Sequence, residues 1–174
     1  MVHLARGFRP ELIRPATQEW LEDFTTRLER SRYRAVPVLL VGGEPEERAR
    51  VARLIFEHGP TRDGSFMAAD CRLLATDADL PWMWEHQGAP EHGALFLDSI
   101  EDLPETRQRR LLAWMEGQAR LAMGAAPRHC RVMAGIHEVR TRSGHDDRHT
   151  DSLLPTLLDS LDVWRVDLSN SPHV

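Results

Sequence analysis

The sequence predicts an α/β protein of three layers, with helices covering both faces of a five-stranded parallel sheet. Two observations carry this. Apolar runs too short for helices alternate along the chain with stretches whose apolar residues recur at helical spacing, the order that builds a parallel sheet through right-handed crossovers. The first such run, Val38-Leu39-Leu40-Val41, is apolar at every position rather than at alternate ones, as a strand covered on both faces requires. With 174 residues, 41% of them hydrophobic, the chain can bury one core but not two, so a single domain over residues 1–174 is expected.

In residues 17–30, Trp20, Phe24 and Leu28 recur every four positions among charges, which predicts a helix with one buried face, and Thr17 can cap its start. The strand at residues 38–41 follows and is closed by Gly42-Gly43. A second helix is expected over residues 45–57. It places Val51, Leu54 and Ile55 on one face, and Pro45 falls in its first turn, where a missing N–H costs nothing. Gly59-Pro60 ends it. Further strands are expected at residues 65–69, 94–97, 131–134 and 163–168, with helices at 104–118 and 151–161. The continuously apolar strands at 38–41, 94–97 and 131–134 should be central. Residues 76–91 and 140–150 read as loops at the sheet edge. In the first, Trp82 and Trp84 flank Met83, either as simple loop packing or as a partner-docking patch. In the second, His145 and His149 bracket two aspartates, a polar loop by default and a metal site only if helical.

Composition excludes several classes of function. Asp and Glu outnumber Lys and Arg by 27 to 22, a net charge of −5, which gives no broad grip on a phosphate backbone, so no direct nucleic-acid binding is expected. Cys71 and Cys130 are the only cysteines and have no CxxC spacing, so neither a disulfide framework nor a zinc site is indicated. No stretch approaches 18 consecutive apolar residues and residues 1–10 carry no apolar leader segment, so a soluble, cytoplasmic protein is expected.

Five blocks in order resemble the AAA+ domain of sigma-54-dependent transcriptional activators. VLLVGGEPEERARVARLIF (38–56) is similar to its first strand, P-loop and helix, and FMAADCRLL (66–74) to its second strand. HGALFLDSIEDLPETRQRRLLAWMEGQ (92–118) resembles the Walker B strand and the helix after it. CRVMAGIHEV (130–139) resembles the sensor strand, and LLPTLLDSLDVWRVDLS (153–169) the helix and strand that close the subdomain. The resemblance implies a P-loop NTPase-like fold. The chain stops at Val174, where the relatives continue into a helical lid and a helix-turn-helix domain, so neither is expected.

The positions that carry the family's chemistry are altered. A P-loop works because glycines let successive backbone N–H groups converge on phosphate oxygens while a lysine reaches the outer phosphates. The resemblance places Gly42 and Gly43 at the start of the loop and Arg48 on the lysine, but Pro45 lacks a donor, Glu47 replaces the last glycine, and Glu44, Glu46 and Glu47 crowd the site with carboxylates. The bland reading of this run is a solvated helix N-terminus, where glutamates suit the dipole. Asp98 matches the Walker B aspartate and can still hold Mg²⁺, but Ser99 stands where a water-activating carboxylate belongs. His137 replaces the sensor asparagine, and Leu154 and Ser160 stand at the two arginine-finger positions. Only 21 residues separate Cys71 from Gly93, with no GAFTGA-like segment for engaging the sigma factor.

The expectation is therefore no catalytic residue, no metal, no required cofactor and no hydrolysis: a pseudo-ATPase acting through a protein partner, in transcription or with another AAA+ subunit. The alternatives are an ATP-binding protein that oligomerises around nucleotide held by Arg48 and Asp98, and a small-ligand sensor using a vestigial pocket of Gly42, Gly43, Arg48 and His137.

Overall fold

The computed structural model describes residues 18–31, 36–74, 92–121, 130–137 and 153–168. Helix α1 (Gln18–Ser31) leads into strand β1 (Val38–Val41), helix α2 (Pro45–His58) and strand β2 (Ser65–Asp70). Strand β3 (Gly93–Asp98), helix α3 (Glu105–Leu121), strand β4 (Cys130–Ile136), helix α4 (Pro155–Leu161) and strand β5 (Trp164–Asp167) complete the order. Single 3-10 turns follow β2 at Cys71–Leu73 and β3 at Ile100–Asp102, neither of which the apolar pattern announces.

The five strands form one parallel sheet in the order β2-β3-β4-β1-β5. The three central strands, β3, β4 and β1, are the ones expected there. Each is buried on both faces, and alternate residues feed two separate cores because successive side chains of a strand point to opposite sides. Val38 and Leu40 of β1 pack with Phe24 and Leu28 of α1, Val51, Ile55 and Phe56 of α2, Phe96 and Met133. Leu39 and Val41 face the other way, with Leu95, Leu97, Val132, Leu111 of α3, and Leu157 and Leu161 of α4. The result is three layers, α1 and α2 on one face and α3 and α4 on the other. Each wholly buried Leu or Ile contributes about 1.5–3 kcal/mol.

The outer strands show why their sequences are mixed. In β5 Trp164 and Val166 are buried while Arg165 and Asp167 are exposed, and β2 is only half-buried along most of its length. Val163, expected to open the last strand, lies in the turn before it and is 58% exposed. Helix α4 starts at Pro155, later than the expected residue 151, although residues 151 and 152 lie outside the described part. The expected loops at 76–91 and 140–150, with Trp82, Trp84, His145 and His149, also lie outside it, as does Thr17. No helix among the described residues is long and apolar enough to cross a membrane.

Candidate functional site

The C-terminal ends of β1, β3 and β4 meet around one side chain. Arg48, near the start of α2, is completely buried. Its guanidinium grips Asp98, the last residue of β3, along two parallel bonds, from Nε to Oδ1 at 2.6 Å and from Nη2 to Oδ2 at 3.0 Å. The third nitrogen, Nη1, donates to the carbonyl of Gly43 at 2.7 Å and more weakly to that of Gly42 at 3.3 Å. It also lies 3.4 Å from Nδ1 of His137, and because a guanidinium only donates, that ring nitrogen is the acceptor. The side chain is thus satisfied on every edge, and both oxygens of Asp98 are occupied.

The loop is shaped to offer those carbonyls. Gly42 and Gly43 sit at φ +72° and +68°, left-handed backbone that glycine takes without strain. A Cβ on Gly43 would come within 2.8 Å of Glu47 Oε2 and 3.0 Å of Leu168 Cβ, so the second glycine is required by space as well. The loop is also short. With Pro45 fixing φ at the first position, α2 begins immediately after Glu44, and the Glu44 carbonyl accepts from the N–H groups of Glu47 (2.9 Å) and Arg48 (3.0 Å). The Gly42 N–H is held by the Ile136 carbonyl at 3.0 Å. The N–H groups of Gly42, Glu47 and Arg48 are thus spent on the sheet and the helix, and the Gly42 and Gly43 carbonyls face the Arg48 cation.

Three details were not legible beforehand. Gly135 of β4 makes the room: a Cβ there would overlap Asp98 Oδ1 and lie 3.0 Å from Arg48 Nε. Ser99 is the only non-glycine residue among the described ones with a left-handed backbone, at φ 53° and ψ 49°, and is buried. That conformation costs about 1–2 kcal/mol and turns the chain sharply after Asp98 into the 3-10 turn. The turn carries Glu101, whose Oε1 accepts the backbone N–H of His137 at 2.9 Å, so this carboxylate ties the ends of β3 and β4 together.

The acidic run divides. Glu44 and Glu46 are exposed at the helix start, as the bland reading expects, but Glu47 is only 5% exposed, which corrects its reading as a solvated residue. Gly42, Gly43, Arg48, Asp98 and His137 come together, with Ser99 adjoining. Leu154 and Ser160 do not join them through any hydrogen bond. Leu154 precedes α4 and its N–H donates to Gln108 Oε1 at 2.7 Å, while Ser160 Oγ bonds the Thr156 carbonyl at 2.9 Å within the helix. Cys71 is buried and Cys130 half-buried, and neither forms a disulfide. Burial pushes the Cys71 thiol well above its ordinary range, helped by nearby Asp70 and Asp98, and pushes Cys130 up to about 12. No cluster of metal-ligating side chains occurs among the described residues.

No protein-family model matches the chain, and no curated protein does. Solved structures do. NtrX from Brucella abortus in complex with ADP matches with a TM-score of 0.62 and 15% identity, over 91% of this chain and 37% of that one. The P-loop NTPase domain of the sigma-54 transport activator from E. coli matches at TM-score 0.59 and 17% identity, over 83% of this chain and 98% of that one. The chain has the P-loop NTPase fold. The Thermotoga maritima RuvB Holliday junction branch migration motor is similar too, at TM-score 0.58 and 14% identity, over 89% of this chain and 48% of that one. At these identities the likeness is one of fold, and the chain spans well under half the length of NtrX.

Proposed function

We propose that the chain is a non-catalytic AAA+ module of the sigma-54 activator type, one that works through protein contacts rather than by turning over nucleotide. The observation that carries this reading is the position of the Arg48 guanidinium. It fills the space between the Gly42-Gly43 loop and Asp98, with its own charge compensated and every edge bonded. A polyphosphate entering here must displace a bidentate ion pair in a buried setting, against carbonyl oxygens and beside Glu47. The metal-holding carboxylate is meanwhile committed to a cation that the chain itself supplies. Ser99, Leu154 and Ser160 bring neither a base nor a finger for phosphoryl transfer. A partner in transcription or another AAA+ subunit is the role this scaffold suits, and no cofactor is needed to hold it.

The second reading, an ATP-binding protein without strong hydrolysis, draws on the similar structure of NtrX in complex with ATP, at TM-score 0.61. Isothermal titration with ATP and Mg²⁺, paired with a phosphate-release assay, separates the two. The proposal expects no saturable heat at millimolar ATP and no release. Micromolar affinity replaces it with the second reading, and turnover that disappears in Asp98→Ala overturns it altogether.

A further inference from the structure

At the other end of the sheet lies a second buried cation that the nucleotide-site reading leaves unused. Arg131 is the second residue of β4, two positions before Met133, which pairs in register with Val38, as Trp164 does from the other side. Side chains two apart on a strand share a face, so Arg131 enters the core beneath α1 and α2 alongside Trp164. Its side chain is completely buried.

Its surroundings compensate only part of the charge. Nε donates to the Val36 carbonyl at 2.9 Å, and the guanidinium carbon stands 5.5 Å from the centre of the Trp164 ring. The end of α2 is close, since a Cβ on Gly59 would lie 2.9 Å from Nη1 and 2.8 Å from the Ile55 carbonyl. Yet Nη1 and Nη2 bond to none of those carbonyls and have no hydrogen-bond partner among the described residues. The indole Nε1 of Trp164 is likewise buried without a partner, and so is Oγ1 of Thr61, two residues past Gly59. No acid among the described residues pairs with Arg131. A guanidinium serving only as a structural strut would spend its outer nitrogens on the helix carbonyls beside it. Here both outer nitrogens are left without a hydrogen bond, and the Trp164 indole, a group that can only donate, is left without one too.

We propose that Arg131, together with the Trp164 indole N–H, binds a small oxyanion, a carboxylate or phosphate group, at the N-terminal end of the sheet. The Nη1–Nη2 edge matches two oxygens of such a group, and desolvation on all sides makes the charge-assisted pair strong. The complete burial of Arg131 restricts the ligand to the size of formate, sulfate or inorganic phosphate and makes entry depend on local opening. The site is independent of the Arg48–Asp98 pair.

Thermal melting of the full chain in chloride buffer, with phosphate, sulfate or formate substituted at constant ionic strength, tests this. Excluded salts stabilise any fold, so the reading is the difference from Arg131→Met in the same salts. At about fifty times the dissociation constant the wild type should gain about 5 °C over that variant. Trp164→Phe keeps the charge and the stacked ring but removes Nε1, and should raise the half-saturating concentration about tenfold. Formate or phosphate acting at the lower concentration identifies a planar or a tetrahedral ligand. A wild type indifferent to all three anions, or one whose response both variants share, overturns the proposal.

Discussion

Removing both halves of the Arg48–Asp98 pair should cost no more than removing either half alone. Asp98→Asn keeps the shape but faces a buried guanidinium with an amide, so one of the two bonds, at 2.6 or 3.0 Å, becomes donor against donor. Arg48→Met leaves a carboxylate that is 5% exposed with neither of its donors, and strips the Gly42 and Gly43 carbonyls of theirs. Breaking a buried pair from one side costs about 3–5 kcal/mol, because the abandoned charge keeps its desolvation penalty. Asp98→Asn belongs at the lower end, since Arg48 retains two backbone acceptors. The double variant abandons no charge and should lose about as much as one single variant, giving a coupling energy of about 3 kcal/mol. With a slope of about 2 kcal/mol per molar urea, each single variant should drop its midpoint by roughly 1.5–2.5 M, and the double should fall no further. Urea titrations followed by tryptophan fluorescence and by far-ultraviolet dichroism measure all four corners of the cycle. If the two losses simply add, to within about 0.5 kcal/mol, the pair is not a coupled buried unit and the account of a plugged loop is wrong.

Gly135→Ala should destabilise by about 1–3 kcal/mol, the usual cost of overpacking, because its methyl overlaps Asp98 Oδ1; in the Arg48→Met background the loss should shrink, which the same titrations resolve. Charge removal alone, by Glu44, Glu46 and Glu47→Gln, should leave ATP binding undetectable by calorimetry, whereas replacing Pro45 and Glu47 with Gly and Arg48 with Lys frees the loop donors and the cavity; affinity gained by the glutamine variant alone would show that charge rather than geometry closes the site. Cys71 and Cys130, both held as thiols by burial, should resist iodoacetamide at pH 8 in the native chain and react within minutes in urea, and rapid native labelling of Cys71 would contradict its packing. Desolvation holds the folded pKa of Arg131 down to about 10, so its charge weighs against folding throughout neutral pH and is relieved as pH rises above about 10 towards the unfolded value. In anion-free buffer Arg131→Met should therefore be at least as stable as the wild type at pH 7, with the difference closing above pH 10; a difference independent of pH removes burial as its cause.

The sheet was legible in the sequence because burial on both faces leaves a direct mark. Val38 to Val41, Ala94 to Leu97 and Arg131 to Ala134 have no sustained polar alternation, and a strand without a wet face belongs in the middle of a parallel sheet. The members of the site were named by the resemblance, which placed Gly42, Arg48, Asp98 and His137 on its nucleotide-site positions. Their arrangement was not legible. The helix start at Pro45 was legible, but nothing in the one-dimensional pattern says that Gly42 and Gly43 turn carbonyls inward towards Arg48, or that Glu47 is buried while Glu44 and Glu46 are not. Gly135 and Arg131 show the same limit from both sides. A glycine inside an apolar strand reads as a neutral gap and an arginine at its start as a polar end, yet one makes room for an ion pair and the other is a buried cation, because space and charge compensation depend on neighbours far away along the chain. Periodicity records which face of an element leaves water; which polar groups then meet inside is decided only when the layers close.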